Sequence, residues 1–175
     1  GRAVITALAR LNGKVVGIVA SNPMVGGIMD YKAVRKQGHF TELCDMFNIP
    51  IILFADVPGL MVGVESEADA ILREGVRARY IGFQVSVPVF SVLIRKCYGV
   101  AGGGFTDRGG LNFRIAWPSA EWGSLPVEGG VKAAYRREIE SAPDPAARER
   151  ELEAELKQVA SPFRTAEAFA IEDII

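Results

Sequence analysis

Residues 50–63 read "PIILFADVPGLMVG", and this stretch decides the fold. Ile51, Ile52, Leu53, Phe54 and Ala55 follow one another without a polar break. A run apolar on both faces suits a strand buried from both sides, as in a parallel sheet. It ends at Asp56-Val57-Pro58-Gly59, where proline and glycine close the strand. A hydrophobic strand delivering Asp-x-Pro-Gly fits the magnesium and switch element of a nucleotide hydrolase. It fits equally a strand-end loop beside some other site.

Working outward, strands and helices alternate. Residues 15–21 ("VVGIVAS") are a second two-face-apolar strand, and residues 32–47 place Val34, Phe40, Leu43, Cys44 and Phe47 near helical spacing. Downstream, residues 65–83 read as one helix with Glu65 and Glu67 in its first turn, where carboxylates favour the dipole. Residues 87–94 and 112–117 are further strands, separated by the glycine-rich turn "YGVAGGGF" at 98–105. Residues 127–140 read as a helix. A charged helix opens at the cap and first-turn pair Asp144-Pro145, and a short one opens at Ser161-Pro162 in the same manner. This order predicts an α/β layered fold with parallel strands. In 148–157 ("RERELEAELK"), Leu152 and Leu156 share one side. That predicts a solvated amphipathic helix, with a partner-binding helix as the alternative.

At 175 residues the chain fits one domain with a sizeable core, 49% apolar and 23% charged. Lys plus Arg number 20 against 21 Asp plus Glu, so no basic field invites nucleic acid or an anionic membrane. No apolar run reaches membrane-spanning length. Cys44 and Cys97 form neither a CxxC pair nor a metal-ligand cluster and read as buried thiols of a reducing compartment. The chain enters structure at once and stops on "IEDII", which predicts a piece of a longer polypeptide.

The chemistry narrows by elimination. Nucleotide hydrolysis on a switch fold needs GxxxxGK(S/T), which is absent, so the switch reading of Asp56 to Gly59 fails. The segment Gly99-Val100-Ala101-Gly102-Gly103-Gly104 has alanine where a dinucleotide fingerprint requires glycine. A serine hydrolase would have to use His39, the only histidine, which sits within a helix, and Ser124 is the one serine worth testing as nucleophile. What remains is the turn after the third strand. If 98–104 leads from a strand into a helix, its first N–H groups lack intrahelical partners and can stabilise a developing negative oxygen. Close helix–strand packing uses glycine for the same steric reason and stands beside that reading. Arg95 and Lys96, just before the turn, face an anionic ligand or simply water.

Taken together these stretches resemble a known family. The chain is similar to the C-terminal half of the carboxyltransferase β subunit of biotin-dependent acyl-CoA carboxylases, the propionyl-CoA and methylcrotonyl-CoA type. "LARLNGKVVGIVASNP" (8–23) resembles the family's opening strand pair, and "HFTELCDMFNIPIILFADVPG" (39–59) its helix and second strand. Asp30 and Lys36, and the spacing of Gly63, Glu67, Ile71, Arg73 and Gly75, fit the pattern too. "IRKCYGVAGGGF" (94–105), "AWPSAE" (116–121) and "SPFRTAEAFAIEDII" (161–175) resemble its RK-x-Y-G-G-A-Y turn, its AWP strand and its closing helix.

The resemblance implies the crotonase-like (ClpP/crotonase) spiral of ββα units, with residues 1–175 forming the C-terminal carboxyltransferase subdomain. It implies transfer of a carboxyl group between carboxybiotin and the α-carbon of an acyl-CoA, this half supplying the biotin side. The backbone N–H groups of Val100 and Ala101 would hold the biotin ureido oxygen. Tyr98, Gly99, Gly102, Gly103, Pro58 and Gly59 would surround the biotin and substrate. The implied partners are a biotin carboxylase and biotin carboxyl carrier subunit, the chain's own N-terminal half, and a second copy in a homo-oligomer. The implied compartment is the cytoplasm, or the mitochondrial matrix in a eukaryote, and the fragment alone would be inactive. The pattern departs at Val100, where the family has glycine, at Gly103, where a family position helps choose acyl length, and at Leu125-Pro126. Three alternatives stand beside this one. They are the decarboxylase subunit of a sodium-pumping complex, a non-catalytic assembly module, and a ClpP-like peptidase needing Ser124 and His39 together.

Overall fold

The computed structural model describes residues 1–106 and 109–175. The chain opens with an antiparallel hairpin, β1 (Val4–Leu11) and β2 (Lys14–Ser21). Asn12 and Gly13, both at positive φ, make the two-residue turn that matches the right-handed twist of paired strands. A short 3-10 turn (Pro23–Val25) leads to α1 (Tyr31–Met46), whose N-cap Asp30 accepts the N–H of Ala33 at 2.7 Å. β3 (Ile51–Val57) follows and is buried or half-buried along its whole length, as expected for a strand covered on both faces.

After β3, the single helix expected over 65–83 is two. α2 (Val64–Ala68) stops, Ala70 takes a left-handed conformation at φ 59°, and α3 (Ile71–Gln84) starts after it. Alanine adopts that conformation at a steric cost, so composition gives no warning of the break. Glu65 and Glu67 do lie in the first turn of α2. The strand expected over 87–94 is longer: β4 runs Val89–Tyr98 and passes directly into α4 (Gly99–Thr106). The glycine-rich segment is therefore the helix itself.

β5 (Asn112–Ala116) and β6 (Glu121–Gly123) come next. The helix expected over 127–140 breaks at Tyr135 into α5 (Val127–Ala134) and α6 (Arg136–Ser141). α7 (Pro145–Val159) begins as expected, with the Asp144 carboxylate accepting the Ala147 N–H at 3.0 Å. α8 (Pro162–Glu167) starts on its proline, but Ser161 makes no side-chain cap bond. The closing segment is not all helix, because β7 (Asp173–Ile174) returns the chain to the sheet beside β5.

Among the described residues the sheet has seven strands in the order β1-β2-β3-β4-β5-β7, with β6 also paired to β4. All pairs after the opening hairpin are parallel. β4 is its axis, bonded to β5 along residues 89–93 and to β6 along residues 96–98. The main core gathers Val19, Leu53, Val57, Val89, Leu93 and Phe105 between sheet and helices. A smaller cluster of Val127, Val131, Ile139 and Leu152, with Leu156 against it, holds α5, α6 and α7 together. Leu152 and Leu156 thus face their own chain, which favours the solvated-helix reading of α7 over a partner-binding one.

Candidate active site

The end of β4 and the start of α4 concentrate the unusual backbone. Gly99 has φ +59°, and a Cβ there would sit 3.3 Å from the Ser124 carbonyl oxygen, so conformation and space both call for glycine. Gly102 is required by packing alone: a Cβ would come within 2.6 Å of the Cys97 carbonyl carbon and 2.8 Å of its oxygen. Helical glycine costs about 1 kcal/mol against alanine, and the close seat of α4 on β4 is what that cost secures.

The two ends of α4 are treated differently. At its C-terminal end three side chains from three elements engage the carbonyls. Gln37 Nε2 of α1 donates to Gly104 O at 2.9 Å, Ser91 Oγ of β4 to Phe105 O at 2.6 Å, and Asn112 Nδ2 of β5 to Thr106 O at 2.6 Å. Gln37 and Ser91 are themselves buried. The N-terminal end has no comparable side-chain partner among the described residues. The first N–H groups of a helix have no partner within it, so those of Gly99, Val100 and Ala101 present a fixed positive end. A helix clamped at one end, with free donors at the other, is preorganised to stabilise negative charge.

Gly99 and Val100 border a cavity of about 700 Å³, whose walls also include Gly102, Gly103, Ser124 and Arg114. Trp122 and Thr165 close one side, the indole Nε1–H donating to Thr165 Oγ1 at 3.1 Å. No group of three or more His, Cys, Asp or Glu able to hold a metal is found among the described residues. Over residues 1–175 the sequence matches the carboxyl transferase domain family.

The chain belongs to that family.

The propionyl-CoA carboxylase carboxyltransferase subunit of Haloferax mediterranei is 38% identical, the match covering 98% of this chain and 34% of that protein. The methylmalonyl-CoA carboxyltransferase 12S subunit of Propionibacterium freudenreichii subsp. shermanii is 37% identical over 98% of this chain and 33% of its own length. The crystal structure of transcarboxylase 12S, a hexamer assembly with methylmalonyl-coenzyme A and methylmalonic acid bound, superposes at TM-score 0.89 and 37% identity. That match covers 99% of this chain and 34% of that one. This carboxyl transferase domain thus spans about a third of the length of these relatives. Its fold is crotonase-like.

Of the eight residues predicted for the site, Gly99, Val100, Gly102 and Gly103 line the cavity together. Ala101 is buried and faces a small void shared with Leu60, Gly75 and Val100. Tyr98 is also buried, beneath the turn and away from the cavity wall. Pro58 and Gly59 are half-buried on the loop after β3 and do not line the cavity. Their loop still touches the site, since a Cβ at Gly75 would meet Leu60 Cδ1 at 3.1 Å and Val100 Cγ1 at 3.8 Å. Sequence reasoning missed Gln37, Ser91 and Asn112, whose roles depend on contacts across 67, 14 and 6 residues. It also missed Arg114, Trp122 and Thr165, which only the folded sheet brings to one wall.

His39 and Ser124 are both exposed and line different cavities, His39 facing one of about 290 Å³ between α1 and α3. Nothing in the described geometry joins them as a hydrolase pair. Arg95, the other basic residue noted before the turn, is engaged by Asp56. No described helix is long and apolar enough to cross a membrane.

Proposed function

We propose that this carboxyl transferase domain forms the biotin side of an acyl-CoA carboxyltransferase. The N–H groups of Val100 and Ala101 would receive the biotin ureido oxygen, and the acyl-CoA would lie against the same cavity. The single observation carrying this reading is α4, clamped at its C-terminal carbonyls and open at its N-terminus onto a cavity walled by glycine. When bound, biotin supplies a ureido nitrogen that carries the carboxyl group. The residues present fit such a ring: Gly99 and Gly103 put no side chain between a flat ligand and the backbone. Each well-placed donor of this kind is worth about 3–4 kcal/mol in acyl transfer.

The proposal extends to partners. Leu72, Val76, Tyr80 and Phe83 make an exposed apolar stripe at helical spacing along α3. It supports docking of an N-terminal half, from this polypeptide or a second copy in a homo-oligomer. A biotin carboxyl carrier subunit charged by a biotin carboxylase would deliver the biotin. Both cysteines are buried free thiols, in keeping with the cytoplasm or a mitochondrial matrix.

The test is reverse transfer by the full-length protein, with methylmalonyl-CoA or malonyl-CoA as donor and free biotin as acceptor. Val100→Pro and Ala101→Pro each delete one donor in the first helical turn, where proline is tolerated. Product that depends on biotin and falls about 100-fold or more in either variant is the expected result. Absence of product from folded wild-type protein with any acyl-CoA would sink the proposal and favour an assembly role.

A further inference from the structure

Arg114 carries a charge that the reading above leaves unused. It stands in mid β5, in register with Ser91 of β4, so both side chains leave the sheet on one face. Ser91 is bonded to the Phe105 carbonyl, and that face is therefore the one covered by α4, near the helix's C-terminal end. Arg114 lines the same cavity as Val100 and Gly103. Its Nε is buried and has no hydrogen-bond partner among the described residues. Among the described residues its guanidinium forms no ion pair. Glu172 accepts the backbone N–H of Arg114 and not its side chain.

Two further features give the missing partner its character. None of the described residues lining the cavity is acidic. The cavity therefore has a positive helix end at one extreme and the Arg114 guanidinium toward the other, with Arg79 as a second cation and Leu93, Ala170 and Ile171 among its apolar lining. Such a surface suits a ligand with an apolar stem and an anionic far end. The flat fork of a guanidinium matches a carboxylate through two parallel N–H bonds. The eight residues of α4 separate its ends by about 12 Å, at about 1.5 Å per residue. An extended chain of about eight carbons, with bonds of about 1.5 Å, covers most of that length.

We propose that Arg114 is a specificity residue that receives the terminal carboxylate of a dicarboxylic acyl-CoA whose reacting end lies beside the amino end of α4. This rests on the acyl-CoA reading of the cavity given above. The probes are octanedioyl-CoA and octanoyl-CoA, which share a chain length and differ in terminal charge.

Binding of both to the full-length protein is measured by calorimetry, and carboxylation of both by the assembled carboxylase. Wild-type, Arg114→Gln and Arg114→Lys proteins are compared. The expected result is at least tenfold tighter binding of octanedioyl-CoA by the wild type. Arg114→Gln abolishes that preference by weakening octanedioyl-CoA at least tenfold more than octanoyl-CoA, and Arg114→Lys keeps part of it. Equal binding of the two thioesters by the wild type overturns the proposal, even should the variants fail to fold. A preference that survives Arg114→Gln overturns it too. Arg114-dependent binding without carboxylation would uphold the anion site while removing the transferase reading. Carboxylation indifferent to Arg114 would do the reverse.

Discussion

The Asp56 carboxylate grips Arg95 at two points, Oδ1 accepting Nε–H at 3.2 Å and Oδ2 accepting Nη2–H at 3.0 Å. Oδ1 also accepts the backbone N–H of Lys96 at 3.2 Å. The reason lies in the register of β3 and β4, which pair Ala55 with Leu93 and next Val57 with Cys97. Two residues advance on one strand while four advance on the other, so the ladder is interrupted at Lys96 and the carboxylate supplies the acceptor. The hydrogen bond to Asp56, and then its charge, raise the Arg95 guanidinium above its ordinary pKa.

Asp56 and Arg95 should therefore contribute unequally. The Arg95 side chain is 57% exposed and that of Asp56 14%, so solvent screens the pair. Asp56→Ala also strips the Lys96 N–H of its acceptor and should cost about 1–2 kcal/mol. Arg95→Ala should cost under about 1 kcal/mol, and its effect should shrink as salt is raised. Urea denaturation of both variants at low and high ionic strength checks the order. A larger loss for Arg95→Ala would refute it.

The clamp on α4 makes its own prediction. Ser91→Ala leaves the Phe105 carbonyl without its hydroxyl donor in a buried setting, which costs about 1–3 kcal/mol. For a domain of this size each kcal/mol lowers Tm by about 2–4 °C. An unchanged melting temperature would show that the clamp is not made as described.

Cys44 should be inert in the folded protein. Burial raises its thiol pKa to about 11, so almost no thiolate exists at pH 8. Iodoacetamide should label Cys44 only after denaturation, as read by mass spectrometry. Rapid labelling at pH 8 under native conditions would contradict its placement.

Asp45 ties the end of α1 to the segment before β4, its Oδ1 accepting Ser86 N–H at 2.8 Å, Ser86 Oγ–H at 2.9 Å and Val87 N–H at 3.2 Å. Burial alone would raise this carboxyl, but the bonds from Ser86 and Val87 outweigh it and hold the pKa below 3.8. A folded pKa below the unfolded one means that the stabilisation is full above about pH 4. It is lost as pH falls through the folded value. Asp45→Asn should destabilise by about 1 kcal/mol at pH 7, and thermal melts should show the gap closing as pH falls below about 4. A gap that widened in acid would reverse the assignment.

The strands were legible because two-face-apolar runs such as 51–55 have few other uses. The helix caps at Asp30 and Asp144 follow from local chemistry, although only the second was foreseen. The break at Ala70 was hidden, since alanine in a left-handed turn is imposed by packing and not by its own preference. The extension of β4 through Arg95 and Lys96 was hidden too, because a carboxylate 40 residues away completes its bonding. At the site, glycine composition marked the helix start but could not separate Gly99, needed for its backbone angle, from Gly102, needed for its seat on Cys97. Arg114 was illegible for a simpler reason. A lone arginine in a strand reads as solvated until neighbouring strands show which face it shares.

The position of β4 has a consequence for how the molecule breathes. It is hydrogen-bonded to β3 on one flank and to β5 and then β6 on the other. Freeing its amides to solvent deuterium requires parting three neighbours at once, so they should exchange last, at the free energy of global unfolding. β1, bonded to β2 alone and standing at the sheet's edge, should exchange early. The strand that presents the donors is therefore among the slowest parts of the protein to open, and local fraying does not reach the first turn of α4 through it.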